Sequence, residues 1–126
     1  MKIRKVKIGI QSLESALNDF VETGRALEEG KPVKKEKGVY FTSVEAFRKA
    51  LTPKRLELLR AIKTEKPSSI RQLSKITERD IKNISADISF LEQAGLVDIE
   101  KHMERERREI TPFVNYDKIL FEVSIA

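Results

Sequence analysis

Apolar and polar positions along the chain change period several times, and each change marks an element. Val6, Ile8 and Ile10 alternate with Lys5, Lys7 and Gly9, which predicts a strand with one wet face. From Ser12 the period lengthens: Leu13, Leu17, Phe20, Gly24 and Leu27 recur at steps of four and three, a narrow seam on a helix that runs to about Glu29. Gly30-Lys31-Pro32 ends it, and Val33 to Gly38 reads as a basic connector. Gly38 to Phe41 is a short strand candidate. Ser43 then caps a short helix with Ala46, Phe47, Ala50 and Leu51 on one side. Thr52-Pro53 opens the next helix with proline at its first position, and Leu56, Leu59 and Ile62 form its core face.

The stretch from Pro67 to Lys101 is the most informative. Ser69 opens a helix, with Gln72 three residues on as capping partner. Thr77 is the expected opener of a second helix, with Asp80 in its first turn. Ile81, Ile84, Ile88 and Leu91 fall on one face and are the expected buried set. Gly95 stands where a left-handed cap belongs. A strand from Leu96 to about Met103, a charged turn Glu104 to Arg108 and a strand from Glu109 to Asn115 follow. Tyr116-Asp117 turns the chain, and Ile119, Phe121, Val123 and Ile125 alternate in a last strand. Helix, turn, helix and hairpin in this order predict an α+β winged helix-turn-helix with an N-terminal strand-helix-strand extension. The expected division is residues 1–42 for the extension, with dimerisation as its role. Residues 43–117 make the winged unit, and 118–126 a strand that joins the extension's sheet.

Charge sharpens this reading. The net charge is +5 over 126 residues, which permits a nucleic-acid partner. It is unevenly spread: Met1 to Ile10 holds four bases and no acid, whereas Gln11 to Gly30 holds one base and five acids. From Pro53 to Glu109 there are 13 bases and 11 acids, so this stretch is only +2 and is no general polyanion binder. On a helical wheel, Arg79, Lys82, Asn83 and Ala86 oppose the buried face of the second helix, with Ser85 on the flank. Such side chains suit base edges and phosphates, although a solvated helix face has the same composition. Arg71 and Lys75 on the preceding helix are candidate phosphate contacts. Arg105, Arg107 and Arg108 of the turn either contact DNA or pair with Glu104, Glu106 and Glu109. Phe90 lies on the outward half of the wheel and is expected to be covered by another segment or subunit. Leu13, Leu17, Phe20 and Leu27 are either a dimer seam or the packing face of a helix on its own domain.

Other chemistry is sparse. Cysteine is absent and His102 is the single histidine, so a metal site and a nucleophilic triad both lack their parts. The five glycines form no phosphate-cradling cluster. No enzyme activity and no cofactor are expected. No apolar run suits a signal peptide or a membrane span, so a cytoplasmic protein is expected.

Phe41 to Lys101, with LTPKRLELLRAI at Leu51 to Ile62 and DIKNISADISFLEQAGLV at Asp80 to Val97, resembles predicted archaeal and bacterial transcriptional regulators of the MarR/ArsR-like winged-helix type. TPFVNYDKI at Thr111 to Ile119 is similar to the segment that closes the domain in that group. Ala86 departs from the pattern, since a longer polar residue is common there. The resemblance implies a winged helix, binding to double-stranded DNA and homodimerisation. Some genes of this kind sit beside toxin-like genes, which implies an alternative role as an antitoxin that masks a toxin protein.

Overall fold

A computed structural model describes residues 3–30, 38–123 and 125. The protein is α+β, and its described residues divide into two compact units.

One unit contains Lys5–Lys49 and the chain from Ile119 onward. Strand β1 (Lys5–Ile10), helix α1 (Leu13–Glu28), strand β2 (Gly38–Phe41), helix α2 (Val44–Ala50) and strand β5 (Lys118–Val123) build it. β1 is central, in the order β2-β1-β5. It pairs in parallel with β2, from Lys7 opposite Gly38 to Ile10 opposite Phe41. A parallel pair needs a long crossover, which here contains α1. Ile8 is fully buried. Phe47 of α2 stacks on Phe121 with ring centroids 4.3 Å apart and meets Phe41 edge-on at 5.8 Å. On the other face Lys7 pairs with Glu122 at 2.9 Å. The Tyr40 ring lies against Gly9 and Gly38, so close that a β-carbon at Gly9 would stand 2.9 Å from it. Both glycines make room for that ring.

The sequence reading grouped α2 with the helices that follow, but its aromatic contacts tie it to the sheet. The basic connector, residues 31–37, lies outside the described residues.

The second unit spans Ala50–Lys118 and includes Arg4. Helices α3 (Pro53–Glu65), α4 (Ile70–Thr77) and α5 (Ile81–Gln93) precede a hairpin of β3 (Asp98–Glu104) and β4 (Arg107–Phe113). Thr52 accepts a hydrogen bond from the Arg55 amide at 3.2 Å, and Pro53 begins α3. Ser69 accepts from the Gln72 amide at 3.1 Å, while the Gln72 side chain accepts from the Ser68 amide at 2.6 Å. The core joins Leu58 and Ile62 of α3, Leu73 of α4, and Ile84, Ile88 and Leu91 of α5 to Leu96 and Val97. Each such side chain contributes about 1.5–3 kcal/mol through burial. Gly95 adopts φ 84°, and the Leu96 amide reaches back to the Leu91 carbonyl at 2.9 Å. Tyr116 donates to the Leu96 carbonyl at 2.9 Å. Burial, reinforced by the charge of Asp98, pushes its phenol up to about 12.

Two local expectations are corrected. Thr77 does not open α5. It is the last residue of α4, and its hydroxyl donates to the Leu73 carbonyl at 2.8 Å. Asp80 stands at the N-terminus of α5 without a side-chain capping bond. The hairpin turn is also tighter than the charged pattern implied. It consists of Arg105 and Glu106 alone, at φ 49° and 65°, as the twist of a two-residue hairpin demands. Arg107 and Arg108 therefore belong to β4.

Ile8→Ala is expected to cost about 2–5 kcal/mol, because it opens a cavity under the sheet. Leu120, 47% exposed on β5, should lose far less when changed to alanine. Thermal unfolding of the two variants checks this, and equal losses would contradict the packing described.

Candidate nucleic-acid interface

α5 buries Ile84, Ile88 and Leu91, which fixes its rotation about its own axis. The opposite side then has only one way to point. Lys82, Asn83 and Ala86 are exposed there, and Ser85 is half-buried on the flank. Ile81, expected in the core, is 41% exposed and lines a cleft with Ile70 and Ile110.

Arg79 is the main departure. It does not stand beside Lys82 on the exposed side. It lies in the α4–α5 turn, and its Nη2 donates to Asp87 Oδ2 at 2.7 Å. Ser74 pins the same residue, its hydroxyl donating to the Arg79 carbonyl at 2.6 Å. From α3, Arg55 Nε donates to the other oxygen of Asp87 at 3.0 Å. Arg55 Nη1 also donates to the Ala50 carbonyl at 2.8 Å. Its guanidinium lies 4.1 Å from the centroid of Phe90, a cation–π contact. The guanidinium shields one face of the ring, but Phe90 stays 38% exposed, so the expected cover is only partial within the chain.

One carboxylate and two guanidiniums leave this cluster at +1, with all three side chains a quarter exposed or less. Burial alone would raise the Asp87 carboxyl. The hydrogen bonds and charges of Arg79 and Arg55 outweigh it and hold the group below its usual 3.8. Asp87 therefore presents no free negative charge beside Lys82 and Asn83. Sequence spacing could not disclose this arrangement, since Arg55 and Asp87 are 32 residues apart. The one local signal was a carboxylate near the exposed face with no i±4 base.

The remaining cations stay open. Arg71 and Lys75 are exposed on α4, Arg105 at the hairpin turn, and Arg107 and Arg108 on β4. Among the described residues no ion pair engages any of these or Lys82. Arg71, Arg107 and Arg108 come together around one cleft floored by Ile70, Ile81 and Ile110. His102 sits on the hairpin, 3.8 Å from Glu109 and 3.5 Å from the Thr111 hydroxyl. No group of three or more described His, Cys, Asp or Glu side chains could hold a metal ion.

In the sheet unit, Leu13, Leu17 and Phe20 are 66%, 56% and 77% exposed, and Val21 beside them 55%. Leu13, Leu17 and Phe20 of the α1 seam are therefore left open by the described residues of their own unit. The Leu27 side chain lies outside the described residues. No described helix is long and apolar enough to cross a membrane.

Residues 50–121 match the HVO_A0114 family model, more than half of the chain. The chain belongs to the HVO_A0114 family. The matched segment begins where the helical unit begins and runs into β5, so the family pattern covers α3, α4, α5 and the hairpin. No curated protein matches the chain.

Asp87→Ala is expected to lower stability by about 3 kcal/mol, because it strands two half-buried guanidiniums. The pH dependence follows from the depressed carboxyl. Its stabilisation is complete above the ordinary value of 3.8 and is lost as pH falls through the lower folded value. Asp87→Asn should be the less stable protein at pH 7, and the gap from wild type should close in acid. Urea unfolding of both proteins at pH 7 and pH 3 reads this, and a gap that persisted unchanged would rule out the charge contribution.

Proposed function

We propose that the protein is a sequence-specific regulator of transcription that binds double-stranded DNA as a homodimer. In this reading the helical unit is a winged helix-turn-helix. α5 enters the major groove, and the β3–β4 hairpin is the wing. The observation that carries the proposal is the exposed face of α5. Lys82, Asn83 and Ala86 stand on a helix whose other side is locked into a core, with open arginines on the adjacent hairpin. Asn83 has the amide geometry to pair with an adenine edge, Ala86 can meet a thymine methyl, and Lys82 can reach guanine or phosphate. Ser85 contributes from the flank. Arg71, Lys75 and Arg105 supply phosphate contacts that set the register without reading sequence. Arg79 has a different part here, since it holds the turn that aims α5. A positioning device of this kind needs no catalytic group and no cofactor. It would work in the cytoplasm, where the DNA is.

Two copies suit this work better than one. A unit at +2 neutralises few phosphates, and sequence-independent affinity scales with that number. The open α1 seam supports pairing through Leu13, Leu17 and Phe20. A two-fold axis would set the reading helices about 34–36 Å apart on an inverted repeat. The same uncovered helix supports a second reading. An apolar seam on an acidic helix can also mask another protein, as an antitoxin masks a toxin, and the two roles are compatible.

Asn83→Ala should weaken binding to the preferred duplex by about 1–3 kcal/mol and relax preference at one base position. Equal losses on preferred and random duplexes would remove Asn83 as a base reader. Leu17→Glu with Phe20→Glu should convert a dimer into monomers in sedimentation and abolish specific binding. A wild-type monomer that binds a non-symmetric site tightly would refute the dimer.

A further inference from the structure

The cleft between α4, α5 and β4 combines two surfaces that seldom occur together. Its floor is apolar, from Ile70, Ile81 and Ile110, and its rim is cationic, from Arg71, Arg107 and Arg108. Glu109 is its only acid, so the lining is +2. None of the three arginines is engaged in an ion pair among the described residues. The floor is open as well: Ile81 keeps 41% of its surface exposed at the phase of α5 that should have been buried. Ile81 thus offers accessible apolar surface beside three exposed arginines that make no ion pair among the described residues.

The complementary ligand carries anionic groups at intervals with apolar surface between them. The sugar–phosphate chain of DNA has this form. Its phosphates carry one negative charge each, and the deoxyribose between them offers C–H surface. A free phosphate would satisfy the rim and leave the floor bare. A hydrophobic peptide would cover the floor and leave the rim unpaired. Guanidiniums suit phosphate in particular, through paired N–H donors.

We propose that this cleft grips the sugar–phosphate backbone of one DNA strand. Phosphates would lie on Arg71, Arg107 and Arg108, and deoxyribose on Ile81 and Ile110. The site deepens the DNA-binding reading and rests on it. It gives the three arginines one shared task, where the sequence alone offered a phosphate contact on a helix and a separate charged turn.

Because the contact is with backbone, a random-sequence duplex of 20 base pairs is a sufficient probe of its salt dependence. The Arg71→Gln, Arg107→Gln, Arg108→Gln triple variant changes only exposed side chains, and an unchanged melting temperature will verify its fold. Its binding should depend on salt less steeply than wild type, by about two to three in the log–log slope for each bound protomer. Ile81→Ser should weaken binding several-fold and leave the slope unchanged, because it removes sugar contact and no charge. On a preferred duplex, whose sequence fixes the register, replacing the two or three neighbouring phosphates of one strand that face the cleft by neutral methylphosphonates should weaken wild type about tenfold or more and the triple variant little. A triple variant with the wild-type salt slope would overturn the proposal, as would methylphosphonates that weaken both proteins alike. If wild type bound no duplex at any salt concentration, the DNA-binding reading itself would fail. Duplex binding with an unaltered slope would remove the cleft alone.

Discussion

The exposed face of α5 depends on one carboxylate. Asp87 accepts from Arg55 on α3 and from Arg79 in the α4–α5 turn, so three segments converge on a single side chain. Apolar packing of Ile84, Ile88 and Leu91 sets the rotation of α5, but packing alone tolerates sliding along the helix axis. The two directional, charge-assisted bonds fix what packing leaves loose, the axial position and the entry of the turn. Lys82 and Asn83 sit on the first turn of α5, immediately after that turn, and inherit its placement. The same pair of bonds neutralises the acid that would otherwise repel a phosphate.

This arrangement separates two uses of arginine. Arg55 and Arg79 are held by Asp87; Arg55 also donates to the Ala50 carbonyl and lies over one face of Phe90, and the Arg79 carbonyl accepts from the Ser74 hydroxyl. Arg71, Arg107 and Arg108 are open to an external anion. Net charge does not distinguish the two groups. Setting the Asp87 cluster aside takes two bases and one acid from the stretch Pro53 to Glu109 and leaves the rest at +1, so it is the placement of the open cations and not their net charge that matters.

Local chemistry was legible in the sequence, and tertiary chemistry was not. Ser69, Thr52-Pro53 and Gly95 act through bonds to residues three to five positions away, so their roles could be read from spacing. The alternating strands at the two chain ends were also legible, and they meet in one sheet. Arg79 was misplaced because a helical wheel carries each residue outward at a fixed angle. It cannot represent a side chain folding back onto a partner eight residues on. Ile81 was misplaced because periodicity reports phase and not depth, and in the first turn of α5 the right phase leaves it 41% exposed. The hairpin turn was read too long because Arg105-Glu106 lacks the Asn-Gly signature of a two-residue turn. For the α1 seam, two readings were open. The exposure of Leu17 and Phe20 speaks against packing within its own unit.

The central claim is that α5 reads base sequence. Its most direct test is selection of duplexes from a random pool by the full chain, followed by sequencing. The account expects an enriched inverted repeat whose half-site centres lie about 10–11 base pairs, or a multiple of that, apart. A pool recovered without enrichment of any motif would contradict it, however tightly the protein held DNA.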